Sequence, residues 1–564
     1  MKKTVFSILC TILIWPALAL AENYTVKGEM GANIRYELQE QVTSGEGIKK
    51  MVLSFVKPQT FHSPTYRQEI RNFKLLFSPE PQDRKTQTDG RGNEIIVATW
   101  TDPPQVISVR LSCDALSETR FPTLSTQDPF PLVKIDQEMR DYLKSTEQVQ
   151  SDNPRIRELA TQLTSGVKTE FDAVQRIVSW VVDHVRYVTP PVRYDAVYSL
   201  ESGKGNCQNY SHLSAALLRA VGIPVRIVNG VTLNQPFDIA MDKGGVLTLK
   251  MGQGRHSWIE IWFPQLGWVP LDPQNTMLFV SNRFVRVEVG VDNNETKNDG
   301  LFRWSQLQEA QRPKLQESII ANFENDKINV RGNRQNYGPK NLLLSPLVKA
   351  EFKEIEVVPP PPPPVISEKV KKDLRYNVPF TYGNLEYPEN LDFAFPRITS
   401  ASGKNQFEMS RSFLVETAEY VTTNLTQYAQ VFVLQKPVTL KKIGLALHNF
   451  GGDGWLWVDV LQDNKGKPGM PIGTSGFINL DQLSLKPGYR WADFDFSKES
   501  PILMPGVYWI ALGFTGSPIV NWFYTYGKPV GPVDGTRYKG VFQDDWSGAL
   551  NYEFNYRVIG LTTK

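Results

Sequence analysis

Cysteine and histidine are both scarce in this 564-residue chain, with three of the first and five of the second. Cys10 lies in an apolar run at the start, so the rest of the chain holds only Cys113 and Cys207. That is too few for a disulfide-stapled scaffold. No His, Cys and carboxylate cluster has metal-ligand spacing, and neither a metal nor another cofactor is expected. No charge of one sign dominates, since 62 Lys and Arg stand against 59 Asp and Glu. Near-neutrality gives no electrostatic case for nucleic acid or for a strongly charged membrane surface. Beyond residue 21 no apolar run approaches the length that a membrane span needs.

The first 21 residues read as an export signal. Lys2 and Lys3 precede an apolar run from Val5 to Leu18, and Ala19-Leu20-Ala21 supplies the small-residue cleavage pattern. Leu9 before Cys10 is too large for a good lipid-attachment site. The expected product is therefore exported, periplasmic or extracellular, with no membrane span once the signal is cleaved. Cys113 and Cys207 could pair in an oxidising compartment, but a bridge would silence Cys207. The expectation is a buried Cys113 and a free Cys207.

The remaining length suits about three or four domains. Residues 22–135 read as strands, with partial alternation over Val106–Leu111 and a turn cluster at Asp89-Gly90-Arg91-Gly92-Asn93. A small β-sandwich acting as scaffold is expected. Over 136–305 the period changes. Asn153 before Pro154 starts a helix that Ser165-Gly166 stops, and Thr169 with Asp172 starts a second. A third runs from about Cys207 to Val221 and ends at Gly222. Strands follow at Val225–Val231, Ser257–Phe263 and Trp268–Leu271, which makes this an α+β domain. From 306 to 404 periodicity fades around six consecutive prolines at 359–364, read as a stiff spacer in a linker. Residues 405–564 return to short strands with turns and read as a jelly-roll-type β-sandwich. Its aromatic residues include Trp455, Trp457, Trp491, Trp509, Trp522, Tyr524, Tyr526 and Trp546. Paired on shared strand faces, they read as core filling ahead of sugar binding.

Chemistry concentrates at Gly203-Lys204-Gly205-Asn206-Cys207. A thiol attacks as its thiolate, and the unpaired N–H groups and dipole of a helix start favour negative charge there. Flanking glycines let backbone approach a substrate carbonyl, and the Cys207 N–H could join an oxyanion hole. A base must then hold the thiol proton. His62 and His448 fall in the flanking domains. His212 lies five residues after Cys207, rotated from it by roughly 140°, and His184 ends a preceding helix. His256 opens a strand, and Asp272 ends the next one across a tight turn at 264–267. That places a base beside an orienting carboxylate, with Glu260 as the fallback.

Three separated motifs occur in order: Gly205-Asn206-Cys207 with Leu217-Leu218-Arg219 and Gly222-Ile223-Pro224-Val225-Arg226, then His256-Ser257-Trp258-Ile259-Glu260, then Gly267-Trp268-Val269-Pro270-Leu271-Asp272-Pro273. Over roughly residues 150–292 the chain resembles the bacterial transglutaminase-like family of the papain-like cysteine enzymes. The one departure is Ser257, where the family usually has alanine. The resemblance implies a papain-like core with Cys207 as nucleophile, His256 as base and Asp272 as its partner. It implies acyl chemistry through a thioester on a protein or peptide substrate, here a peptidase or amidase. Protein-glutamine transamidation and a non-catalytic envelope-binding or assembly role are the alternatives. The C-terminal module is expected to meet a cell-envelope glycan or protein.

Overall fold

The computed structural model describes residues 23–121, 126, 128–187, 191–241, 246–249, 252–274, 278–307, 311–335, 343–344, 376–383, 397–400, 406–410, 417–420, 426–485, 490–526, 536–541, 543, 545–550 and 552–563. The export signal and the proline run at 359–364 lie outside the described residues.

Two facing sheets build the N-terminal part. The labelled strands are β1 (Asn23–Thr43), β2 (Ile48–Lys57), β3 (Tyr66–Ser78), β4 (Glu94–Thr101) and β5 (Val106–Phe121). Along β5 every second residue is buried, so Ile107, Val109, Leu111 and Cys113 point to one side. This period of two is what a half-buried antiparallel strand dictates. β5 lies between β3 and β1, while β2 pairs with β4 in the opposite sheet. Tyr36, Leu53, Phe55, Trp100 and Leu111 fill the space between them.

Four helices follow: α1 (Pro154–Leu163), α2 (Glu170–His184), α3 (Ala196–Ser202) and α4 (Cys207–Ala220). Asn153 caps α1 and Thr169 caps α2 through its hydroxyl on the Asp172 N–H, as their sequence signals require. Every residue from Cys207 to Arg219 is buried, so α4 is the central helix of its domain rather than a surface helix with one apolar face. Several of its polar side chains are bonded from within, while the Ser214 hydroxyl has no hydrogen-bond partner among the described residues. The Arg219 guanidinium, for example, donates to the carbonyls of Lys144, Val225 and Val291.

Against α4 lies a four-stranded antiparallel sheet, made of β6 (Val225–Thr232), β7 (Gly254–Phe263), β8 (Gly267–Leu271) and β9 (Phe284–Gly290), in the order β8-β7-β6-β9. The chain then returns to the N-terminal sheets. β10 (Leu301–Gln306) pairs with β2, and β11 (Lys314–Gln335) pairs with β1 from Asn23↔Gln335 to Thr43↔Lys314. The reading of 306–404 as linker is therefore corrected over 314–335. Charged and amide residues interrupt the apolar pattern of β11, because much of the strand is exposed and few positions need to be apolar.

The C-terminal part also has two facing sheets. One holds Val438–Gly451, Ile519–Tyr526 and Tyr556–Thr562, and the other Thr426–Leu434, Gly454–Asp463 and Gly506–Gly516. Val378–Gly383, also within the supposed linker, adds an edge strand beside Tyr556–Thr562. Leu445, Val458, Leu512, Trp522, Tyr524 and Val558 form the shared core. Trp455 and Trp457 do not join it, since the core positions of their strand are Leu456, Val458 and Val460. Reading these two tryptophans as core filling is thus corrected: alternation puts them on the outer face.

This part is not held at a distance. Gln406–Ser410 pairs with β10, and Ser547–Leu550 pairs with Val246–Leu249 of the hairpin between β6 and β7. Ala446 and Phe523 are buried in the same apolar cluster as Tyr210 and Leu213 of α4. Among the described residues no helix is long and apolar enough to cross a membrane.

Candidate active site

Cys207 is the first residue of α4, and Asn206 is its cap. The Asn206 side chain accepts from the Gln208 N–H, while its own backbone N–H donates to Asn209 Oδ1 at 3.1 Å. This capping box pins the thiol's backbone at the positive end of the helix dipole. Gly205 is needed for it, because a Cβ there would stand 2.2 Å from Cβ of Asn209.

His256 comes from β7. Its backbone pairs with Gly230 of β6, and Ile259 pairs with Leu271 of β8. Continuing that register one step puts Asp272 opposite Trp258 and diagonal to His256, within side-chain reach. The His256 Nε2–H donates to Asp272 Oδ2 at 2.8 Å, and the Gln274 N–H donates to Asp272 Oδ1 at 3.1 Å. With Nε2 engaged, Nδ1 is the ring nitrogen left for Cys207, which interacts with the imidazole and favours its charged form. All three side chains are buried, with Cys207 2%, His256 1% and Asp272 0% exposed. Burial alone would lower the His256 pKa. The Asp272 charge, its hydrogen bond and Cys207 outweigh burial and push it up to about 9.

Aromatic rings hold the His256 imidazole. Trp258 stacks on the imidazole at 5.9 Å, and Phe284 of β9 meets it edge-on at 5.6 Å. Gly230 makes room for this packing: a Cβ would stand 2.3 Å from the Val285 carbonyl and 2.4 Å from the Trp258 ring. Arg255, next to His256 but on the other face, is buried among Asp299, Glu317 of β11 and Glu40 of β1. The strand that carries the base is thereby keyed into the N-terminal sheets, a link that the sequence did not announce.

The other expected candidates sort cleanly. His212 donates from Nδ1 to the Tyr194 carbonyl at 2.6 Å and accepts the Asn293 N–H on Nε2, so both nitrogens are occupied. Burial lowers its pKa, in keeping with a neutral ring inside the domain. His184 stacks on Trp180 and bonds the Leu200 carbonyl through Nε2. His62 and His448 sit in the flanking parts. Glu260 faces Arg226 at 2.5 Å and Arg286 at 2.8 Å, which removes it as orienter of His256. Cys113 is a free thiol, buried in the N-terminal core, with its pKa pushed up to about 12 by burial and then by Asp114. Ser257 fits without strain: its hydroxyl bonds Asn293 Oδ1 at 3.2 Å. Among the described residues no group of three or more His, Cys, Asp or Glu could hold a metal ion.

Comparison with known proteins points to the same region. Residues 157–273 match the family model described as the transglutaminase-like superfamily. YebA of Bacillus subtilis is 30% identical over 157 residues, which are 26% of this chain and 21% of YebA. The chain thus spans about a fifth of that relative's length. A protein-glutamine gamma-glutamyltransferase of Pseudomonas aeruginosa is 28% identical over 130 residues, 22% of this chain and 18% of that protein. Among solved structures, the periplasmic domain of TgpA from Pseudomonas aeruginosa aligns at 18% identity and a TM-score of 0.22, covering 43% of this chain and 90% of that one.

Proposed function

We propose that this chain, whose residues 157–273 form a transglutaminase-like domain, is an exported cysteine-nucleophile enzyme that cleaves peptide or amide bonds through a thioester. One observation carries this reading: Cys207 at the start of α4 interacts with a buried His256 whose Nε2 is held by the buried Asp272 at 2.8 Å. Cys207 Sγ attacks the carbonyl carbon and His256 keeps the thiol proton. As the tetrahedral species collapses, the C–N bond breaks and His256 passes that proton to the leaving amine. Water then attacks the thioester, giving its proton through His256 to the departing sulfur. Asp272 holds the imidazole in orientation and stabilises its charge.

A second reading replaces water by an amine. It is favoured by the likeness to the Pseudomonas aeruginosa gamma-glutamyltransferase, and it would make the protein a transamidase. Mass spectrometry after incubation with a peptide amide decides between them. An acyl adduct on Cys207 followed by free acid supports hydrolysis, while an amine-linked product formed in preference to acid supports transfer. Intact Cys207 with every such substrate would refute both.

The flanking parts we read as β-sandwiches, the first a scaffold and the second, of jelly-roll type, a recognition module for a cell-envelope glycan or protein. The outer face around Trp455 and Trp457 supports recognition. Trp455 is 45% and Phe477 60% exposed. The Trp457 indole lies across Gly513, where a Cβ would stand 2.2 Å from the ring, and its N–H is held by Asp459. A flat, fixed ring of that kind suits stacking on a sugar.

A further inference from the structure

The start of α4 carries a second group whose chemistry the fold leaves unused. Asn206 is fully buried, and its carboxamide orientation is settled by its bonding. The Gln208 backbone N–H can only donate, so the side-chain atom 3.1 Å from it must be Oδ1. Nδ2 therefore presents two N–H groups, and it has no hydrogen-bond partner among the described residues. A buried donor left in this state has lost its water and gained no bond in return, which is unfavourable in the resting site. The surroundings nonetheless hold it firmly. Asn209 accepts the Asn206 backbone N–H, and its own amide donates to the Arg193 carbonyl and to Ser199 Oγ at 3.0 and 2.8 Å. The unused donor thus stands immediately before the nucleophile, at a helix end whose first N–H groups have no partner within the helix.

We propose that the Asn206 carboxamide is a catalytic donor to the oxyanion, acting with the Cys207 backbone N–H. The inference rests on Cys207 being the acyl-transfer nucleophile. When Sγ bonds to the carbonyl carbon, the C=O π pair moves onto oxygen. Nδ2–H donates to that anionic oxygen until the pair returns and the C–N bond breaks. A donor without a ground-state partner gains its bond in the transition state, which is where an interaction lowers a barrier.

The test is Asn206→Ser, which keeps an oxygen to cap the Gln208 N–H and deletes both side-chain N–H donors. Acylation of Cys207 by an activated ester or small amide is expected to fall by about 10²–10³ in kcat, with KM within about three-fold. Alkylation of Cys207 by iodoacetamide, which forms no oxyanion, is expected to hold within about three-fold, with Tm within a few degrees. Acylation within about three-fold of the unaltered protein would overturn the proposal, and so would acylation and alkylation falling by the same factor. Should Asn206→Ser not fold, the isosteric Asn206→Asp is read by the same ratio, with acylation required to fall at least about thirty-fold more than alkylation. Unaltered protein that alkylates at Cys207 yet never forms an acyl-enzyme overturns the parent reading itself, before any variant is made.

Discussion

Replacing Asp272 by Asn tests what its charge does for His256. Asn keeps an acceptor for the Nε2–H that now reaches Asp272 at 2.8 Å, so the ring's orientation survives while the negative charge goes. In the intact site His256 stays protonated up to about 9, against 6.5 ordinarily. At about 1.36 kcal/mol for each pH step, that difference amounts to about 3 kcal/mol of preference for the imidazolium. Its sign follows from linkage. A base whose folded pKa is raised adds stability that is fully present below about 6.5 and is lost as pH rises through about 9. Asp272→Asn should therefore lower Tm most below pH 6.5 and flatten its fall between 6.5 and 9. Activity should follow the same group. The alkaline limb of kcat/KM should lie near pH 9 in the intact protein. It should move below about 8 in the variant, with a loss of about three-fold or more at pH 8.5. Asp272→Ala should cost more, because a buried imidazole N–H then loses its acceptor. The assay is kcat/KM on a peptide amide across pH, beside thermal melts in the same buffers. Superimposable profiles for Asp272→Asn and the intact protein would refute the electrostatic account.

Cys207→Ala or His256→Ala should each cost on the order of 10⁴–10⁶ in turnover, and combining them should cost little more, since they act as one unit. His212→Ala should instead destabilise by about 1–3 kcal/mol through the unpaired Tyr194 carbonyl and Asn293 N–H, leaving kcat of the folded fraction nearly unchanged. A silent His256→Ala beside a damaging His212→Ala would reverse the assignment. Arg255→Ala should cost about 3–5 kcal/mol in a denaturant melt by stranding buried Asp299 and Glu40, and a change under about 1 kcal/mol would show the cluster to be incidental. Trp455→Ala with Trp457→Ala should abolish retention on cell-wall polysaccharide while small-amide turnover stays within about two-fold, and unchanged retention would sink the recognition reading.

Much of the site was legible from the chain because its signals are local. Asn before Cys207 marks a helix start, glycines mark close approach, and a strand, turn and strand bring His256 and Asp272 together by register alone. The same locality explains how His212 could be set aside, since helical rotation takes it off the face of Cys207. Long-range order decided the rest. β11 closes the N-terminal sheet some three hundred residues after β1 opens it, and its polar alternation carries no mark of its partner. The outward turn of Trp455 and Trp457 depends on which face of their strand meets the second sheet, and a period of two leaves that choice open. The bonding that selects Asp272 over Glu260 likewise needed Arg226 and Arg286 in place. Residue types and their spacing determined that this protein carries a thiol, a base and a carboxylate on a helix start and two paired strands. Only tertiary packing decided which charges are neutralised, which donors stay unpaired and how the flanking sheets grip the strand of His256. Burial and hydrogen-bond pairing are properties of the assembled neighbourhood, and no single stretch of chain contains them.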